Sequence, residues 1–301
     1  MLHTKRNLVS IERILVTGGA GFIGRRLIAA LLRDYPSAHV WVIDNLHPQV
    51  HGPAPVVAAW DARVTFVHGD VADADAVQAI VAQSRPQWIY HLAAETGTGQ
   101  SYDEPTRYSR VNILGTTHLV EAVRRQGGTE KIILAASRAV YGEGAYQDAD
   151  GGMCCGSPRQ SEPMRVGNYM VPLPAGHRGP GRPVPSAAGL PVAPASIYAS
   201  SKLMQEYVLT QAGEGAPWSA VMLRFQNVYG PGQSLRNPYT GVLSIFARAL
   251  IAGEELAIFE DGQIARDFVF VDDVVDALVR AGAAGTRHGD IFDIGWGEAV
   301  T

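Results

Sequence analysis

Tyr198 and Lys202 stand four residues apart in IYASSKLMQEYVLTQA (197–212), whose apolar spacing predicts a helix. At that spacing the phenol and the ammonium share one helical face. A nearby ammonium favours phenolate over phenol and lowers a tyrosine pKa from ~10 toward working pH. A positively charged nicotinamide would push the same way, and such a tyrosine is a general base for an alcohol. Ser137 closes KIILAAS (131–137), a predicted strand, on the carboxyl edge where α/β sheets bind ligands. Its hydroxyl can hydrogen-bond a reacting oxygen. Alone, Tyr-x-x-x-Lys is also the pattern of a surface pair, so its meaning depends on what precedes it.

A glycine loop precedes it. The run RILVT (13–17) predicts a buried strand, and RRLIAALLRDY beyond Gly24 has helical spacing. Between them lie Gly18, Gly19, Gly21 and Gly24, satisfying both Gly-x-Gly-x-x-Gly and a looser Gly-x-x-Gly-x-x-Gly. A strand, a glycine turn and a helix form a pyrophosphate cradle. Glycine lets the phosphates approach the backbone, and the helix N-terminus offers free N–H groups. Asp44 follows twenty residues after Gly24, at the end of the predicted strand HVWVI (39–43). An acid there suits ribose hydroxyls and repels a 2′-phosphate, so NAD is favoured over NADP. Arg25 and Arg26 leave that preference open.

These residues need a parallel sheet to hold them. Further strands are predicted at 64–67, 88–94, 219–225, 255–259 and 268–271, with helices at 73–83, 112–127, 241–253 and 272–285. The alternation predicts an α/β fold, a doubly wound parallel sheet with a smaller C-terminal lobe. The division expected is a Rossmann domain over 10–225 and a substrate lobe over 226–301, with 268–285 packing back on the former. Between 158 and 194 lie nine of the 18 prolines, which should exclude a helix or central strand. Residues 143–196 therefore read as a long irregular insertion, a candidate lid over the substrate.

The 301 residues carry a net charge of −4 with 47% hydrophobic residues, enough for a sizeable core. That balance offers no general attraction for nucleic acid or an anionic membrane. No apolar run is long enough to cross a bilayer, and the N-terminus has no apolar signal segment. The expectation is a cytoplasmic protein. Its two cysteines, Cys154 and Cys155, are adjacent, which suits no disulfide scaffold and no common zinc spacing. No metal site is expected, although His177 shares their segment.

The motifs TGGAGFIG (17–24), HGDVAD (68–73), HLAAETGTGQS (91–101), SRAVYG (137–142), YASSK (198–202), RFQNVYGPGQS (224–234) and RDFVFVDDV (266–274) occur in family order. Together they resemble the extended short-chain dehydrogenases/reductases, in the nucleotide-sugar epimerase/dehydratase branch. The resemblance implies NAD as cofactor and a nucleotide sugar as substrate. It places Gly18, Gly21, Phe22, Ile23 and Gly24 at the pyrophosphate, Asp44 and Asn45 at the adenosine ribose, and Asp70 and Val71 beside adenine. Leu92, Ala93 and Ala94 would line the cofactor cleft, and Lys202 would hold the nicotinamide ribose. Glu95, Thr96 and Thr98 would face the sugar, and Asn227 and Arg266 its diphosphate. The family also implies a homodimer through a four-helix contact including 112–127 and 197–212.

Sugar dehydratases of this family carry Thr-Asp-Glu where this chain has Ser137, Arg138 and Ala139. Without two carboxylates the elimination lacks its proton carriers. What remains is transient oxidation and re-reduction, an epimerisation, most commonly at C4. Several segments further resemble a subgroup acting on dTDP-6-deoxyhexoses. UDP-hexoses and 2-epimerisation of CDP-sugars stay open, as do a net keto-sugar reductase and a non-catalytic NAD-binding protein. The chain departs from the family in its 61-residue gap from Ser137 to Tyr198. It also stops at Thr301, where family members usually continue, so the substrate lobe is expected to be incomplete.

Overall fold

The computed structural model describes residues 11–55, 59–235, 237, 239 and 241–301. The reading of the N-terminus as lacking a signal segment falls on residues 1–10, outside the described residues. Along the chain run β1 (Arg13–Thr17), α1 (Phe22–Asp34), β2 (His39–Asp44), α2 (Pro48–His51), β3 (Val64–His68), α3 (Ala74–Ser84) and β4 (Trp88–His91). Next come α4 (Gln100–Asp103), α5 (Pro105–Tyr108), a π-helical turn (Ser109–Leu114), α6 (Gly115–Gln126), β5 (Lys131–Ser137) and a 3-10 turn (Arg138–Tyr141). The insertion holds β6 (Ala145–Gln147), β7 (Met153–Cys155), α7 (Ser161–Arg165) and β8 (Arg182–Val184). After it follow α8 (Ile197–Gly213), β9 (Ser219–Phe225), β10 (Asn227–Tyr229), α9 (Val242–Ala252), β11 (Arg266–Phe270), α10 (Val271–Ala283), β12 (Asp290–Ile294) and β13 (Ala299–Val300).

Seven strands form one parallel sheet in the order β12-β9-β5-β4-β1-β2-β3. The chain winds outward from β1 through β2 to β3, then crosses back to β4 on the other side of β1. The crevice between the carboxyl ends of β1 and β4 is thus the topological switch point, where such sheets bind ligands. Helices cover both faces over two cores. One joins Ile14, Val16, Leu27, Leu31 and Tyr90 to Val274 and Leu278 of α10. The other joins Leu15, Ile89, Ile132 and Leu134 to Leu119 and Val123 of α6.

Three expectations need correction. Residues 255–259 form no strand; Ile258 and Phe259 are exposed, so the apolar run has no sheet to join. Residues 290–294 supply an unexpected seventh strand, paired with β9 from Asp290–Val221 to Ile294–Phe225. The C-terminal part therefore contributes β12 as well as α10 to the parallel sheet and its cover, and the division at residue 225 is not clean. The proline-rich insertion is not structureless: β7, β6 and β8 form an antiparallel sheet, in that order. Pro183 sits on the edge strand β8, and Pro163 lies in the first turn of α7. Both are positions where proline's missing N–H costs no ladder or helix bond.

Candidate active site

The glycine loop joins β1 to α1 inside the switch-point crevice. Gly18 has φ +69°, and a Cβ there would lie 2.7 Å from Ala93 N, so only glycine lets β1 and β4 close together. A Cβ on Gly24 would lie 2.6 Å from Gly19 Cα, which seats α1 directly on the loop. Gly21 N-caps α1 without a side-chain cap, leaving the first N–H groups at Phe22 and Ile23 for an anion. Gly18, Gly21, Asp44, Asn45, Asp70, Val71, Leu92, Ala93, Ala94 and Glu95 line a cleft of about 660 Å³, its open mouth included.

Asp44 is nearly buried and accepts the N–H groups of Ala20 (3.0 Å) and Leu46 (2.9 Å), binding the end of β2 to the glycine loop. Asn45 donates to the Asp70 carboxylate at 3.0 Å, which fixes the far wall. The two arginines that left the cofactor choice open are committed elsewhere. Arg25 stacks over Trp60 at 4.4 Å, and Arg26 pairs with Asp272 at 2.6 Å. Neither guanidinium waits for a 2′-phosphate. A glycine cradle, an uncapped helix start and an acid at the ribose end are a donor set that fits NAD.

Ser137 and Tyr198 meet beside this cleft, the serine hydroxyl close enough to the phenol to favour its anion. The Ser137 hydroxyl also accepts the Ala139 N–H at 3.2 Å. Ser196 caps α8 by accepting the Ala199 N–H, which fixes the helix start and aims Tyr198 at the end of β5. Burial pushes the Tyr198 phenol up, while the Ser137 hydroxyl and the Arg138 guanidinium pull it down. The expected lowering of the Tyr198 phenol by Lys202 is not found: burial leaves it raised, and Lys202 Nζ donates instead to Gln205 Oε1, with burial pushing the amine down to about 7. Arg138 is partly buried and pushed down to about 10, first by desolvation and then by Arg266. Arg266 is itself lowered by desolvation and by Arg159.

Glu95 turns its carboxylate to Arg107 at 2.6 Å in the wall of the cofactor cleft, and its backbone N–H is held by Asn112 at 2.8 Å. Thr96 and Thr98 lie on the same loop, where their carbonyls accept Tyr108 Oη and Ser101 Oγ. Asn227 spends its amide on the Asp267 carbonyl at 2.9 Å, lacing β10 to β11. Asp267 binds the N–H groups of Trp296 and Gly297. Arg266 stands near Glu143, Tyr146 and Arg159 of the insertion. His177 pairs with Asp148 at 2.7 Å.

Sequence reasoning missed the supports of this site. Glu206 forks onto Arg224 at 3.0 and 2.7 Å; Arg224 donates to Tyr141 Oη, which donates to Asp293 at 2.8 Å. Asn112 links Glu95 to Ser201 from the π-helical turn.

The model of the NAD dependent epimerase/dehydratase family matches residues 14–163 and 175–295. The chain is 41% identical to a dTDP-L-rhamnose 4-epimerase of Burkholderia thailandensis, over all of this chain and 81% of that protein. It is 34% identical to a UDP-glucose 4-epimerase of Mycolicibacterium smegmatis, over 95% of this chain and 77% of the other. Among solved structures it resembles the UDP-glucose 4-epimerase of Thermus thermophilus in complex with NAD, with 30% identity and a TM-score of 0.70 over 96% of this chain and 79% of that one. The Thermotoga maritima UDP-glucose 4-epimerase with UDP-glucose gives 29% identity and 0.74 over 96% and 78%.

Proposed function

The chain belongs to the NAD-dependent epimerase/dehydratase family, and we propose that it inverts C4 of a nucleotide-diphosphate hexose, with a dTDP-6-deoxyhexose as the preferred substrate. The observation that carries this reading is the Ser137–Tyr198 pair at the sheet edge, followed by Arg138 and Ala139. An alcohol can be deprotonated there, but no carboxylate pair follows to carry an elimination.

In this reading Tyr198 accepts the C4 hydroxyl proton and returns it to the same oxygen once the 4-keto sugar has turned in the pocket. Ser137 fixes the oxygen during both transfers, and Arg138 favours the anionic phenol. Gly18, Gly21, Phe22, Ile23 and Gly24 hold the pyrophosphate of NAD, Asp44 and Asn45 its ribose, and Asp70 and Val71 the adenine. Leu92, Ala93 and Ala94 wall the cleft, and Lys202 turns to the nicotinamide ribose. When bound, NAD would supply a hydride acceptor at one face of C4 and a hydride donor at the other, with no net oxidation. Arg266 takes the sugar diphosphate, whose charge suits an arginine facing another arginine. Asn227, Thr96 and Thr98 are assigned to the substrate side with it, and Glu95 acts through Arg107. A 41% identical relative named for dTDP-L-rhamnose supports the sugar class.

The same reading makes the protein a homodimer. Leu114, Met204 and Tyr207, exposed on the π-helical turn and α8, supply apolar surface for a four-helix contact. Among the described residues no helix is long and apolar enough to cross a membrane, and both cysteines are free thiols, which suits the reducing cytoplasm. Supplying dTDP-L-rhamnose and UDP-glucose to the chain with NAD tests the substrate. Conversion of the rhamnoside to its 4-epimer supports the proposal, and conversion of UDP-glucose alone overturns the sugar class. Light scattering checks the dimer.

A further inference from the structure

A line of buried polar side chains runs beneath the active site from Lys202 to the cofactor cleft. Lys202 Nζ donates to Gln205 Oε1. Gln205 Nε2 donates to Thr116 Oγ1 at 2.8 Å. Thr116 gives its own proton to the Asn112 carbonyl at 2.7 Å, and His91 Nε2 lies 2.9 Å from Thr116 Oγ1 and 3.3 Å from Gln205 Nε2. His91 Nδ1 lies 2.7 Å from Thr17 Oγ1, which accepts the Ala93 N–H at 3.2 Å. Lys202, Gln205, Thr116, His91 and Thr17 are all buried. Gln205 cannot flip: its amide nitrogen is required by Thr116 and its oxygen by Lys202.

We propose that Gln205, locked in one orientation by Thr116 and His91, is a positioning residue that keeps the Lys202 ammonium charged and in reach of the nicotinamide ribose. The inference rests on the assignment of Lys202 to that ribose. An ammonium this deep loses its charge unless acceptors hold its protons. The charged and titratable groups around it are few. Glu206 on α8 favours the cation, but Arg224 of β9 claims both of its oxygens. Tyr198 lies one turn earlier on the same helix. His91 of β4 is held neutral, pushed down to about 3 by burial and then by Lys202 itself. Gln205 is therefore the acceptor that Lys202 keeps for itself.

The test is the pH dependence of NAD binding, by calorimetry without sugar, between about pH 6 and pH 9. In the unmodified chain affinity should fall as pH rises past about 7, where Lys202 loses its proton. Gln205→Leu removes the acceptor and should move that midpoint down by about one pH unit; Gln205→Glu adds a carboxylate and should move it up by a similar amount. Thr116→Val frees Gln205 to turn and should shift the midpoint in the Leu direction. This third variant keeps the test decisive if Gln205→Leu fails to fold. Opposite shifts in the Leu and Glu variants support the proposal. A shared midpoint in folded, NAD-binding variants overturns it, since loss of packing alone moves stability and not the midpoint. Failure of the unmodified chain to bind NAD at any pH would instead overturn the cofactor assignment.

Discussion

Tyr198 must give up a proton that its burial holds in place, and Ser137 and Arg138 are what loosen it. Tyr198→Phe should lower turnover by roughly 10²- to 10⁴-fold while NAD is still recovered from the denatured protein. An active Phe variant would remove Tyr198 from the chemistry. The glycine cradle is as sharply defined. Gly18→Ala forces a side chain at φ +69° against Ala93, and should cost about 1–3 kcal/mol of stability, read by urea unfolding, with weakened NAD binding. Tyr198, Lys202, Ser137 and the glycines were legible in the sequence because their spacing along one element carries their meaning. Gln205, Thr116 and His91 were not, because their bond partners come from α8, α6 and β4 and meet only in the fold. The pairing of Glu95 with Arg107 was hidden for the same reason: the arginine lies twelve residues on, across a turn.

Helix α8 carries Tyr198, Lys202 and Glu206 at four-residue spacing, so its seating decides the geometry of the site. The Glu206–Arg224 pair is buried on both sides. Arg224→Met alone should cost about 3–5 kcal/mol by leaving a buried carboxylate unpaired, and adding Glu206→Leu should recover much of that loss. Strand β4 contributes a pH effect through His91. Its folded-state pKa lies near 3, below the ordinary 6.5, so the unfolded chain takes a proton that the folded chain refuses. The stability His91 contributes is complete above pH 6.5 and is lost as pH falls toward 3, by up to about 1.4 kcal/mol per pH unit. His91→Asn should flatten the urea-unfolding stability profile between pH 6.5 and 5; an unchanged slope would contradict the buried neutral histidine. Strands β1, β5 and β9 were legible because each is a continuous apolar run. Strand β12 was not, since DIFDI has an aspartate at its start and another at its fourth position and is ordered by pairing with β9. The apolar run at 255–259 looked like a strand but has no neighbour to pair with.

Across the whole molecule, the insertion bridges to the C-terminal part through Arg159, which binds Glu143 at 3.2 Å and Glu260 at 2.7 Å. With Tyr146 and Arg266 nearby, this cluster ties the insertion to the C-terminal part beside the expected diphosphate position. Arg159→Ala should raise KM for the nucleotide sugar several-fold while kcat changes less, as expected for a residue that shapes binding. The doubly wound plan was readable from strand–helix alternation. The insertion's small sheet was not, because its three-residue strands are too short to show a period and two prolines sit within its elements. The central claim is C4 inversion by a hydride that leaves the sugar and returns to it. Proton NMR in D2O, with NAD and dTDP-L-rhamnose, tests it most directly. The account predicts a 4-epimer that retains its C4 hydrogen, with no accumulation of NADH. Stoichiometric NADH, or deuterium at C4 of the product, would contradict it.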